Sequence, residues 1–278
     1  MKWITILAIL LISSRTFSQS WSGNDNFNSS SLDTNKWTTY ASLDGYAASA
    51  NLLKTLTGIS FFSPDSVVDE RWGQIFWKVP LPVNENWSAT VEASIDETFS
   101  APAPGVSAIM TILSAVSALD SETVTIGLER TTNSQIGWNY QKFSSLNGNT
   151  FTGNAKQINR EHVILKIEYN SILHSFSLQY ADAMSPSIFN TVASYSTTNW
   201  TNLSSFYLCL GGYSRQTQIE PNRLVMDNFI LQRNTTNNYN TTVILQESTD
   251  LFNWSSISTN HFYQTDPKAF YRLQINKQ

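Results

Sequence analysis

Glu161-His-Val-Ile-Leu-Lys-Ile-Glu-Tyr169, a short break at Asn170-Ser171, and then Ser175-Phe-Ser-Leu-Gln-Tyr180 carry the reading of this fold. Val163, Leu165, Ile167 and Tyr169 alternate with polar neighbours, and so do Phe176, Leu178 and Tyr180. A period of two places each apolar set on one face of a strand, and the break joins the strands as an antiparallel hairpin. Working outward, the same alternation recurs. Ala89, Val91, Ala93 and Ile95 alternate with Thr90, Glu92, Ser94 and Asp96, and Val124, Ile126 and Leu128 with Thr125, Gly127 and Glu129. Stretches 74–79, 106–113, 136–143, 206–210 and 223–231 read as further strands. No long stretch keeps apolar residues at helical spacing. Many antiparallel strands separated by Asn, Gly and Ser turns predict an all-β fold, a two-sheet sandwich or jelly roll.

Composition sets the bounds. The chain has 278 residues, 41% hydrophobic and 13% aromatic, which is enough to bury a sizeable core and excludes wholesale disorder. Its net charge of −4 excludes a nucleic-acid binder, which needs a basic field to meet phosphates. Met1 and Lys2 precede an apolar run, Trp3 to Ile12, and then small polar residues, the layout of a signal peptide over residues 1–18. That run is well short of the ~20 residues a bilayer span requires. No later run approaches a membrane span, so the expectation is a protein secreted, periplasmic or held at the cell surface. Cys209, within Phe206-Tyr-Leu-Cys-Leu210, is the sole cysteine and cannot form an internal disulfide. The core must therefore hold an exported chain together. The polar stretch Arg233 to Thr242 divides the mature sequence. A sandwich over 21–233 is followed by a linker at 234–242 and a small β module at 243–278. Strands at 243–246 and 270–275 are expected there, around a turn centred on Trp254.

Three motifs, in order, resemble concanavalin A-like lectin/glucanase domains. Asp25-Asn-Phe27 followed by Leu32-Asp33 and Trp37 resembles their opening, and Leu224-Val-Met-Asp227-Asn228-Phe229-Ile-Leu231 their closing strand. The hairpin quoted above resembles their paired central strands. The resemblance spans about 21–233 and implies two curved antiparallel sheets with the chain ends close together. It also implies a structural Ca²⁺ on oxygens of the first and last strands, with Asn24, Asp25 and Asp227 as ligands. The alternative is that Asp25 and Asp227 only cap turns. No cofactor is required otherwise. The tail, Ser248-Thr249-Asp250-Leu251 to Trp254 and Phe270-Tyr-Arg-Leu273, is similar to short C-terminal tails of exported proteins of the verrucomicrobial and planctomycete type. Such a tail implies association with the cell surface.

Hydrolases resembling this domain place carboxylates at alternate positions of one strand, as Glu-x-Asp-x-Glu. Here Glu92-Ala-Ser94-Ile-Asp96 puts Glu92 and Asp96 on one face, but Ser94 stands where the middle carboxylate should tune its neighbours. A solvated outer face accounts for the pattern as well. His162, His174 and His261 lack metal-ligand spacing, and Gly211-Gly212 lacks the lysine of a phosphate loop. Binding suits the aromatics better, because sugars stack their C–H faces on Trp or Tyr while polar groups bond the hydroxyls. Arg71, Trp72 and Trp77 form one such group. Trp138 and Tyr140, two apart and hence on one face, form another, with Tyr213 and Arg215 in an expected loop. Taken singly, each aromatic reads more simply as core, since a β-sandwich fills its interior with Trp and Tyr. The sequence thus predicts a secreted, non-catalytic carbohydrate-binding protein. The alternatives are an atypical glycoside hydrolase or lyase using Glu92 and Asp96, and an adhesion module with a protein partner.

Overall fold

The computed structural model describes residues 21–39, 52–55, 58–63, 70–96, 108–117, 122–131, 133–142, 150–200, 203–215, 217–234, 240–247 and 255–263. The expected signal peptide, Trp254 and the expected strand 270–275 lie outside the described residues. All regular structure among the described residues is β. The first sheet runs in the order β14 (Asn190–Ser196), β13 (Ser175–Asp182), β12 (His162–Asn170), β7 (Trp87–Ile95), β16 (Ile219–Arg233), β4 (Gly58–Ser63) and β3 (Leu52–Thr55). In addition, β1 (Gly23–Asp25) pairs with β16. The second runs β11 (Thr150–Gln157), β10 (Ser134–Lys142), β9 (Glu122–Arg130), β8 (Ala108–Ser117), β15 (Ser205–Arg215), β5 (Glu70–Trp77) and β2 (Trp37–Thr39), with β6 (Leu81–Pro82) on β15. A separate pair joins β17 (Asn240–Glu247) to β18 (Ser255–Tyr263). Thus β17 begins inside the stretch expected as a linker, and its partner starts just past Trp254.

The opening hairpin is present as read. Val163 stands opposite Asp182 and Tyr169 opposite Phe176. Asn170 fixes the turn by accepting the N–H groups of Ile172 and Leu173, a local side-chain cap that Asn is suited to. The alternating apolar rows face inward. Ala89, Val91, Ala93, Val124, Ile126, Leu128, Val163, Leu165 and Ile167 are all fully buried. Two aromatic clusters close the core. At one, Trp37 meets Trp77 edge-on at 5.1 Å and Phe229 at 5.0 Å. At the other, Tyr169 meets Phe206 at 4.8 Å and Phe176 at 5.0 Å, beside Trp87. Edge-on and tilted ring pairs of this kind add about 0.5–1.5 kcal/mol each to the apolar burial.

One expected loop is strand. β15 continues through Gly211 and Gly212 to Arg215, paired with β8 on one side and β5 on the other. The glycines read as a break but serve close approach. A Cβ on Gly212 would lie 2.2 Å from the Phe61 ring, and one on Gly211 would lie 2.2 Å from the Gly73 carbonyl oxygen.

Candidate functional site

The two outward faces of the sandwich differ in chemistry. On the first sheet the outward face carries several charged residues, and these are paired with one another. Glu92 Oε2 lies 3.3 Å from His162 Nε2, Lys166 Nζ lies 2.8 Å from Glu168 Oε2, and Asp96 pairs with Arg223. Glu92 and Asp96 do share a face, as their spacing requires. Each is engaged by a basic side chain from a neighbouring strand, the arrangement of a solvated outer face.

The outward face of the second sheet is mostly uncharged. Strand register aligns Gln135, Glu129, Met110 and Tyr213 in one row across β10, β9, β8 and β15, with Trp72 of β5 opposite Tyr213. Five strands at a spacing of ~4.8 Å make this row about 19 Å wide between its outer strands. Asn139, Thr125, Ser114, Cys209 and Phe76 form another row. Between the two rows Gly137 pairs with Gly127, and further along Gly211 stands opposite Ile112 and Gln74. The glycines leave a lane into which neighbouring side chains lean. The Glu129 carboxylate oxygen lies 2.4 Å from where a Cβ of Gly137 would stand. Burial raises the Glu129 carboxyl above its ordinary range, opposed by a hydrogen bond from the Gln135 amide. Phe76, Ile112 and Cys209 of this face are buried as well, and burial pushes the Cys209 thiol far up, away from the reactive thiolate.

Of the residues expected to bind a ligand, Tyr213 and Arg215 lie on β15 in this face, in a strand rather than a loop. Arg71 and Trp72 lie on β5, opposite Ser214 and Tyr213. Trp77 points inward. It is 4% exposed within the core, and its indole N–H donates to the Trp21 carbonyl. Trp138 and Tyr140 share a face as expected, but it is the inward one. Trp138 packs half-buried on the core, and Tyr140 is stacked between Tyr195 and Trp200 at 5.8 and 5.9 Å. The sequence reading missed Glu129. Its signal was its place in the outward row of β9, but the lane that shelters it depends on Gly137, a neighbour only through register.

The residues expected to hold Ca²⁺ do not fit that ion. The Asp25 carboxylate is committed to protein donors, Oδ1 to the Phe27 N–H at 2.8 Å and Oδ2 to the Trp37 indole at 2.9 Å. The Lys36 ammonium donates to the Asn24 carbonyl at 2.9 Å and stands 4.0 Å from Asp25 and 3.6 Å from Asp33. A tethered cation already sits among these oxygens. Asp227 accepts the N–H of Asn228, as a turn cap does. Among the described residues, no three His, Cys, Asp or Glu side chains gather into a metal-binding group. No helix there is long and apolar enough to cross a membrane.

No family model matches the sequence, and no curated protein does. Solved structures do. A laminarinase from Flavobacterium sp. UMI-01 is similar with a TM-score of 0.51 and 11% identity, over 75% of this chain and 98% of that one. A lectin from Bauhinia forficata in complex with GalNAc is similar at 0.46 and 11%, over 76% of this chain and 98% of that one. A Bacteroides ovatus protein, xyloglucan PUL GH43B, follows at 0.45 and 12%, over 76% of this chain; the chain spans 39% of that protein's length. The chain therefore shares its two-sheet β-sandwich fold with that laminarinase, which is a statement of fold alone.

Proposed function

We propose that this chain is an exported carbohydrate-binding protein without hydrolytic activity, and that its glycan lies across the outward face of the second sheet. The observation that carries this reading is the row Gln135, Glu129, Met110 and Tyr213 beside a glycine lane. Amide, carboxyl and phenol groups there match sugar hydroxyls, while Met110 and the Tyr213 ring offer apolar surface to C–H faces. The fold it shares with a laminarinase and a lectin agrees with a glycan partner. Glycoside hydrolysis takes two carboxyls flanking the scissile bond. Among the described residues of this face Glu129 is the only carboxylate whose side chain is placed, and Glu92 and Asp96 belong to the other sheet.

Purified mature protein, applied to a panel of insoluble polysaccharides, is expected to be retained on at least one without releasing reducing ends. Tyr213→Ala should reduce that retention at least tenfold. Release of reducing ends that disappears in Glu129→Gln would make the protein a hydrolase. Absence of retention on every polysaccharide would sink the carbohydrate reading in favour of a protein partner.

A further inference from the structure

A concavity lies away from that face, at the end of the sandwich where β7 and β13 finish and the β9–β10 and β11–β12 turns converge. It encloses about 700 Å³, and small-molecule sites span roughly 300–1,000 Å³. Ile95 and Ile158, both buried core residues, form its apolar floor. The charged groups of its walls face opposite charges. Arg130 Nη1 lies 3.1 Å from Glu161 Oε1, Arg160 pairs with Asp182, and Asp96 pairs with Arg223 from outside the cleft. A ligand bearing a net charge would meet a like charge beside every opposite one, and would lose hydration on entry without a compensating field. Two other wall groups are uncommitted. Asn133 and Asn159 are exposed, and among the described residues no hydrogen-bond partner is found for either amide. Each amide both donates and accepts, as the hydroxyls of a polyol do.

We propose that this end cleft binds one uncharged sugar unit. The Asn133 and Asn159 amides take its hydroxyls, and its C–H face rests on Ile95 and Ile158. The cleft is a second site beside the sheet face, and the assignment rests on the carbohydrate reading given above. Asp96, read from the sequence as a possible reacting group, is here part of the wall, held by Arg223.

Titration calorimetry of the mature protein with cellobiose, maltose, lactose and glucuronic acid tests the assignment. At least one neutral disaccharide is expected to bind. The double variant Asn133→Ala/Asn159→Ala should weaken that binding at least tenfold, while Ile172→Ser, on the hairpin tip at the opposite end, should not. Both asparagines are exposed, so the double variant should keep its melting temperature; Met184→Arg, at a rim position 88% exposed, blocks the same cleft by bulk and should weaken binding too. Tighter binding of glucuronic acid than of all three neutral sugars would overturn the uncharged assignment. Affinity lost in Glu129→Gln but kept in both cleft variants would put the sugar on the sheet face. That result overturns the cleft and leaves the carbohydrate reading standing. If none of the four binds, the cleft assignment falls, and polysaccharide retention decides the carbohydrate reading separately.

Discussion

Glu129 is a carboxyl group sheltered over a glycine, and its environment disfavours its charge. Its folded-state pKa is raised by burial, so the protein holds that proton more tightly folded than unfolded. The stability this confers is present below pH 4.5, the group's ordinary value, and fades as pH rises through the raised value. Glu129→Gln removes the titration. Melting curves at pH 4 and pH 8 should therefore show the variant gaining on the native protein as pH rises; an unchanged difference would mean that Glu129 ionises without penalty. Gly212 makes a second case. A Cβ there would lie 2.2–2.7 Å from three atoms of Phe61, itself 1% exposed, so the ring cannot retreat. Gly212→Ala should cost about 1–3 kcal/mol, as overpacking does, read as a lower denaturant midpoint. Neither effect was legible in the sequence. Both depend on which strand lies alongside, and single residues do not announce their cross-strand neighbours.

At the scale of the element, β1 is three residues long and needs more than its ladder to stay in place. Asp25 supplies part of this by holding the Phe27 N–H, which keeps Phe27 at φ 48°, and the Trp37 indole. Lys36 supplies the rest through the Asn24 carbonyl. Lys36→Met should cost about 1 kcal/mol, since the ammonium is partly exposed, and lower the melting temperature by about 2–4 °C. Adding a chelator to the native protein should leave that temperature unchanged; a fall would show that a metal ion, not the lysine, holds this corner. The hairpin of β12 and β13 lay open in the sequence because its two apolar rows and its Asn-capped turn all point the same way. The strand expected at 206–210 stops short of Gly211-Gly212, since a glycine that admits a neighbour looks the same in sequence as one that turns the chain. β11 and β14 carry no such signal. Their residues are largely exposed, so no apolar row marks them.

At the scale of the whole molecule, fold and site were unequally visible. Two layers of antiparallel strands follow from period-two rows such as Ala89 to Ile95, because each row has only one face to bury. The site required knowing which way the aromatics point. Trp77, Trp138 and Tyr140 have the residue types of a sugar platform, yet they sit on inward rows, where the core makes the same demand for large flat side chains. The contrast between a paired, charged outward face and a mostly uncharged one emerges only when both sheets are assembled.

The pairing of β1 with β16 has a mechanical consequence. Gly23 lies opposite Leu231, so the chain enters and leaves the sandwich side by side at the same end of that ladder. Tension applied to both ends at once would peel β1 away rung by rung, beginning at Gly23, instead of shearing the whole ladder together. Single-molecule pulling from residues 21 and 234 should therefore unfold the sandwich at lower force than pulling from residue 21 and the tip of the β12–β13 hairpin; equal forces would contradict the zipper geometry. Fastened on the residue-234 side only, the same protein would take its load straight into β16, and the β1 seam would stay slack while whatever it grips is dragged past.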